Sequence, residues 1–196
     1  MEHAGAHHGA GDHVVAFERA RMGMWLFLAS EIMMFGAFIG TYIVLRMATP
    51  LDVVQYSQGL LSWKIACINT GVLILSSYTM VRAVNSISKD DRGAASRWCL
   101  ITAVLGIVFL IIKGIEYNGK FSHGIGPSHN IFFSSYFLMT GFHGIHVLVG
   151  VLVLLALPCF MKHFGSTRYA YVENTALYWH LVDLIWIFLF PIVYLL

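Results

Sequence analysis

Met22-Gly-Met-Trp-Leu-Phe-Leu-Ala-Ser-Glu31-Ile-Met-Met-Phe-Gly-Ala-Phe-Ile-Gly-Thr-Tyr-Ile-Val-Leu45 is an apolar run of bilayer length with one charged residue inside it. About 20 apolar residues suffice for a helix to cross the hydrocarbon. At about 1.5 Å per residue, Glu31 lies roughly 14 Å in from Met22, near mid-bilayer. An ionised carboxylate there costs about 3 kcal/mol or more, so Glu31 must be protonated, paired or turned toward other protein. An acid at that depth is a functional-site candidate by default, and the rest of the chain decides for which function.

The composition extends this reading to the whole chain. Its 196 residues are 58% hydrophobic and 11% charged, with mean hydropathy +0.74, which describes a membrane protein and not a soluble domain. A net charge of +2 is too small to point to nucleic acid. Cys67, Cys99 and Cys159 stand alone in apolar segments without CxxC or Cys/His zinc spacing, so free buried thiols are expected. Residues 1–20 form a polar, His-rich N-terminal tail with no secretory leader. Its His3, His7, His8 and His13 sit among Gly and Ala, a setting for disorder or adventitious metal contact and not for a built site.

Outward from the first segment, four more apolar stretches follow. The five spans are expected at Met22–Leu45, Leu60–Val84, Trp98–Tyr117, Ile131–Phe160 and Thr175–Leu196. The second is interrupted by Lys64, Asn69 and Thr70, and Lys64 can snorkel to the nearer interface. Short polar connections make residues 21–196 one domain. The fold class is all-α, a polytopic membrane bundle of five transmembrane helices. With the N-terminus cytoplasmic and the C-terminus outside, the inner side holds Arg19, Arg21, Arg82, Lys89, Arg92, Arg97, Lys162 and Arg168. The outer side then holds only Arg46, Lys64, Lys113 and Lys120, so the positive-inside rule favours that orientation.

Packing signals accompany the spans. Gly36-Ala-Phe-Ile-Gly40 is a GxxxG pattern that permits close helix approach. Gly141, Gly144 and Gly150 give the fourth span a small-residue stripe. Pro158 is expected to end that span, and Pro191 to remove a hydrogen bond within the fifth and kink it.

Several other polar residues lie within the spans. His143 and His146 are three apart on one helix, as are His180 and Asp183, so each pair is expected to share a face. With Glu31 at similar depth, one interior cluster from the first, fourth and fifth helices is expected. Three roles fit such a cluster: a haem or metal site, a proton path, or polar contacts joining helices at about 0.6 kcal/mol each. Residue chemistry favours the last. Lys113 and Glu116 lie toward the outer end of the third span, where an intrahelical ion pair at the interface competes with a lipid-headgroup contact through Lys113.

Four blocks, in this order and at these spacings, resemble subunit III of the haem–copper cytochrome oxidases. They are Arg21-Met-Gly-Met-Trp-Leu-Phe-Leu-Ala-Ser-Glu31, Lys113-Gly-Ile-Glu116-Tyr117, Thr140-Gly-Phe-His143-Gly-Ile-His146-Val-Leu-Val-Gly150, and Glu173-Asn-Thr-Ala-Leu-Tyr178-Trp179-His180-Leu-Val-Asp183-Leu-Ile-Trp186. The resemblance runs from Arg21 to Leu196. It implies a subunit that binds no haem or metal itself, with haem and copper in partner subunits. It implies direct packing on oxidase subunit I, an assembly with subunit II and small subunits, and contact with phospholipid. Glu31 then matches the family's buried carboxylate, and His143, His146, Glu173, His180 and Asp183 match its internal polar positions.

The family's longer form has seven helices, of which the first two, one wall of a lipid-holding cleft, have no counterpart here. The short form points to a bacterial plasma membrane. The function implied is that of a non-redox accessory subunit of a proton-pumping cytochrome c oxidase, supporting proton uptake and stability in turnover. A quinol oxidase subunit and a nitric oxide reductase-associated relative are the alternatives within the family. Outside it stand an independent proton or ion transporter, for which no internal repeat speaks, and a small membrane cytochrome.

Overall fold

The computed structural model describes residues 6–50, 52–53, 59, 63–122, 124, 126, 131–161 and 168–195. Among these, five helices are long and apolar enough to cross a membrane. They are α1 (Ala6–Ala48), α2 (Trp63–Ser88), α3 (Arg92–Ser122), α4 (Ile131–Met161) and α5 (Arg168–Phe190), the last continued by a π-helical turn, Pro191–Leu195. The tail expected to lack regular structure is helical from Ala6, so α1 extends over about twelve turns. A spanning segment is already a helix nucleus, and adding residues to an existing helix is far less costly than starting one. His3 lies outside the described residues.

The helix ends follow local chemistry. α2 and α3 are joined by a tight turn in which Asp90 takes φ 59°, the left-handed region open to Asn, Asp and Gly. Asp91 then caps α3, its Oδ1 accepting from Ala94 N at 2.9 Å. That cap starts α3 at Arg92, six residues before the expected span. α4 continues through Pro158 to Met161 instead of ending there, since a proline near a helix end forfeits only one backbone bond. At Pro191 the α-helical pattern gives way to the wider π pattern, where the missing N–H interrupts the ladder.

Helices α2, α3, α4 and α5 form a ring in which each packs on its two neighbours, and α1 lies outside it against α4 and α5. α5 is the central element, with half of its most apolar stretch buried, against 17% for α1. α1 meets the bundle through a narrow seam. Leu28, Phe35 and Tyr42 are buried, with Glu31 and Phe38 half-buried between them, a spacing of alternate threes and fours. Large apolar side chains such as Leu26, Met33, Ile68 and Ile115 face outward, as hydrocarbon surroundings require. Gly36 and Gly40 also face outward and meet nothing within 4 Å, so the GxxxG pattern makes no helix contact among the described residues.

The close approach lies elsewhere. A Cβ on Gly106 would stand 2.7 Å from Trp179 Cη2 and 2.6 Å from Val151 Cγ2, and one on Gly150 would stand 2.8 Å from Trp179 Cζ3. The Trp179 indole is thus gripped between glycines of α3 and α4, while its Nε1 donates to Ser76 Oγ on α2 at 3.1 Å. One side chain of α5 therefore touches all three other ring helices. Gly141 and Gly144, expected in the same stripe as Gly150, have no such neighbour. Cys99 is buried, whereas Cys67 and Cys159 lie on the outside of the bundle and not in its core as expected.

Candidate functional site

The expected single cluster is divided into separate sites. Successive helical residues turn by about 100°, so residues three apart differ by roughly 60° in direction. That difference sends His143 into the bundle interior and His146 to the flank facing α1.

Glu31 and His146 form the first site. His146 Nε2 lies 2.9 Å from Glu31 Oε2, joining α1 to α4. His146 Nδ1 is 2.8 Å from the Phe142 carbonyl, an atom that can only accept, so Nδ1 carries a proton. A bare imidazole nitrogen and a carboxylate oxygen repel at 2.9 Å, so either the imidazole or the carboxyl group carries one further proton. Either arrangement is neutral overall, and that neutrality makes the pair tolerable at mid-depth. Glu31 Oε2 makes no aligned hydrogen bond, so the contact is electrostatic more than directional. Phe35 packs edge-on against the imidazole at 5.4 Å, and Tyr178 OH donates to the His146 carbonyl at 3.0 Å.

His143 occupies a different place. It is fully buried, stacked on Trp186 at 5.2 Å and met edge-on by Phe109 at 5.7 Å. Neither ring nitrogen has a protein hydrogen-bond partner. Nearby, Asn69 Nδ2 donates to the Phe109 carbonyl at 3.4 Å, and Trp186 Nε1 donates to Thr70 Oγ1 at 3.0 Å. The polar residues that interrupt α2 thus serve as its contacts to α3 and α5.

His180 and Asp183 lie at the α2–α5 interface. His180 Nδ1 and Ser77 Oγ are 2.8 Å apart. Asp183 is 3% exposed, and neither carboxyl oxygen has a hydrogen-bond partner. Glu173, near the start of α5, approaches Arg21 of α1 at 3.9 Å, a loose pair with Arg21 half exposed.

The densest polar site involves the two residues expected at the interface. Lys113 and Glu116 do pair, with Nζ 3.0 Å from Oε2, and both are buried inside the bundle. A headgroup contact through Lys113 does not fit, because its Nζ also donates to Tyr194 OH at 2.6 Å. Lys120 is buried beside them and donates to Glu116 Oε1 at 2.8 Å and to Tyr136 OH at 2.7 Å. Tyr136 and Tyr194 in turn donate to Glu116 Oε1 at 3.0 and 2.8 Å. Two ammonium groups and two phenols therefore converge on one carboxylate, tying α3 to α4 and to the π-helical turn. Tyr117 adds a hydrogen bond to Thr140 of α4.

Sequence reasoning missed Lys120, Tyr136 and Tyr194. The 113/116/120 spacing is that of one helix face and could have found Lys120. Nothing local marks the two tyrosines.

This arrangement suits helix fastening and not metal chemistry. Two lysines repel a cation from the buried carboxylate, and among the described residues no three His, Cys, Asp or Glu side chains converge to hold a metal ion.

Residues 3–196 match the family described as cytochrome c oxidase subunit III. A cytochrome c oxidase subunit 3 from Thermostichus vulcanus is 35% identical, over 89% of this chain and 86% of its own length. One from Synechocystis is 34% identical over 98% and 80%. A cytochrome bo(3) ubiquinol oxidase subunit 3 from Pseudomonas aeruginosa is 32% identical over 99% and 90%.

Proposed function

The chain belongs to the cytochrome c oxidase subunit III family, and from that membership we propose that it serves a proton-pumping cytochrome c oxidase of a bacterial plasma membrane. It is an accessory subunit of a haem–copper oxidase and performs no redox step itself. The observation that carries this reading is the match over residues 3–196, which takes in Glu31, the Lys113–Glu116 pair, both α4 histidines and the α5 block together. In our reading subunit I is the direct neighbour, with subunit II and small subunits in the same complex, and the N-terminus faces the cytoplasm.

The Glu31–His146 pair holds α1 to the ring and so keeps the subunit intact beside the site of proton uptake. Phospholipid is the ligand we assign to this chain. A cavity of about 290 Å³ between α1, α4 and α5, lined by Met24, Phe27, Val149, Val153 and Tyr178, supports an acyl chain there. A quinol oxidase is the second reading, favoured by the similarity to the Pseudomonas aeruginosa subunit.

Purification of the chain from its native membrane in mild detergent tests the proposal. A haem–copper subunit I should come with it, and a dinuclear-copper subunit II selects cytochrome c as donor. Recovery with subunit I but a copper-free subunit II transfers the assignment to a quinol oxidase. Recovery as a lone oligomer that carries ions across liposomes overturns both.

A further inference from the structure

We propose that one ordered water molecule joins α1 to α4 near the C-terminal end of α1, bound by Tyr42, Thr49, Ser135 and Arg46. Tyr42 is 2% exposed, and its hydroxyl has no hydrogen-bond partner among the described residues. A buried phenol hydroxyl normally finds one, because without it the hydrogen bonds made to water in the unfolded chain are lost. Tyr42 lines a cavity of about 10 Å³ between the last turns of α1 and the first of α4. That is about the smallest space that holds one water, roughly 10–15 Å³ for its centre. Thr49, Ser135 and Arg46 line the same cavity, with Leu45 and Phe132 as its apolar walls.

The polar groups of this cavity match water and neither sign of ion. The Thr49 hydroxyl donates to the Leu45 carbonyl at 2.7 Å, and the Ser135 hydroxyl donates to the Ile131 carbonyl at 3.0 Å. With those protons committed, both oxygens remain as acceptors. Arg46 can only donate, and the Tyr42 hydroxyl has its proton free to give. A water gives its two protons to the two acceptors and accepts from the two donors, the full set of bonds a buried water makes. A metal cation would meet a guanidinium there. An anion would meet the lone pairs of two hydroxyl oxygens, and a space of one water excludes a phosphate group.

The position suits such a site. Tyr42 follows Glu31 by three turns, about 16 Å along the same face of α1. It precedes the end of the span at Ala48 by less than two turns, close to the level where hydrocarbon gives way to headgroups and where tyrosine is favoured. Water is therefore near at hand, and the site needs no channel. The role follows from the narrow seam that α1 shares with the ring. Arg21 meets Glu173 toward one end of the span and Glu31 meets His146 in its middle. The bridge from Tyr42 through water to Ser135 supplies a polar contact toward the other end. It does not depend on which oxidase the chain serves.

The test is a cryo-electron microscopy map of the full chain in the complex with which it purifies, at a resolution that shows other ordered waters. A single round density should lie about 2.5–3.0 Å from both Tyr42 Oη and Ser135 Oγ. A double-mutant cycle gives the second measurement, by detergent unfolding of the full chain. Tyr42→Phe removes the hydroxyl and keeps the ring that packs on Phe132 at 6.0 Å. Combined with Ser135→Ala, it should lower the folding constant about threefold less than the product of the single effects, the size of an average interhelical polar contact in a membrane. Tyr42 and Ser135 share no direct hydrogen bond, so this coupling reads the bridge. Absence of the density, an elongated density continuous with a lipid headgroup, or single effects that multiply independently overturns the proposal.

Discussion

Replacing Gly106 by Ala adds one methyl group where two faces already touch. The new Cβ would sit 2.6 Å from Val151 Cγ2, 2.7 Å from Trp179 Cη2 and 3.3 Å from Trp179 Cζ2, against an ordinary carbon–carbon contact of about 3.5–4.0 Å. Relief requires movement of about 1 Å on each side. Val151 and Trp179 are both essentially fully buried, and the indole is held by Ser76 at one edge and by Gly150 on its other side. Overpacking of this kind costs about 1–3 kcal/mol, offset by about 1 kcal/mol of helix propensity gained over glycine. The expected net loss is at most about 2 kcal/mol.

The cause can be isolated with Trp179→Phe, which removes the ring atoms that clash. Equilibrium unfolding of the full chain in mixed detergent micelles, followed by circular dichroism, should show the double variant less destabilised than the sum of the singles, by about 1–2 kcal/mol. Gly36→Ala, whose Cβ meets nothing, is the control and should cost nothing in the same assay. Additive losses would refute the account of Trp179 as the element wedged between helices.

Glu116→Ala should destabilise the same chain by about 3–5 kcal/mol, since it leaves two buried ammonium groups without their carboxylate; the midpoint of detergent-induced unfolding reads this directly. In a double-mutant cycle Glu31→Ala and His146→Ala should couple by about 0.6 kcal/mol and by no more than roughly 2, the range for interhelical polar contacts in membranes. Asp91→Ala removes the cap of α3 and should cost about 1 kcal/mol, whereas Asp90→Gly, at φ 59°, should leave stability unchanged or raise it by up to about 1 kcal/mol. Both loop variants are measured by thermal unfolding in detergent.

Length and hydropathy alone make the five spans legible, because a helix must satisfy its own backbone in lipid and a span therefore has a minimum length. Glu31 and the Lys113–Glu116 spacing were legible for a related reason: charge inside such a run stands out. Helix orientation was not legible. Leu28 faces the bundle and Leu26 faces out, and in a bilayer both directions are apolar, so the contrast that reveals a buried face in water is missing. For the same reason GxxxG at Gly36–Gly40 promised a contact that the fold makes instead at Gly106 and Gly150. Tyr136 and Tyr194 could not be assigned to Glu116 from sequence, because their convergence requires three elements to be placed first.

The Glu31–His146 contact also imposes an order of events on synthesis. α1 is made before its packing partners α4 and α5, with α2 and α3 between them. His146 follows Glu31 by roughly 115 residues, and at about 5–20 residues per second the interval is on the order of 6–23 s. Through that interval the nascent α1 carries an acid into the bilayer with no histidine to answer it, and it can dock only once α4, the fourth of the five spans, is in place. The ring of α2 to α5 can close without α1, so the earliest made of these five helices is the last to find its place.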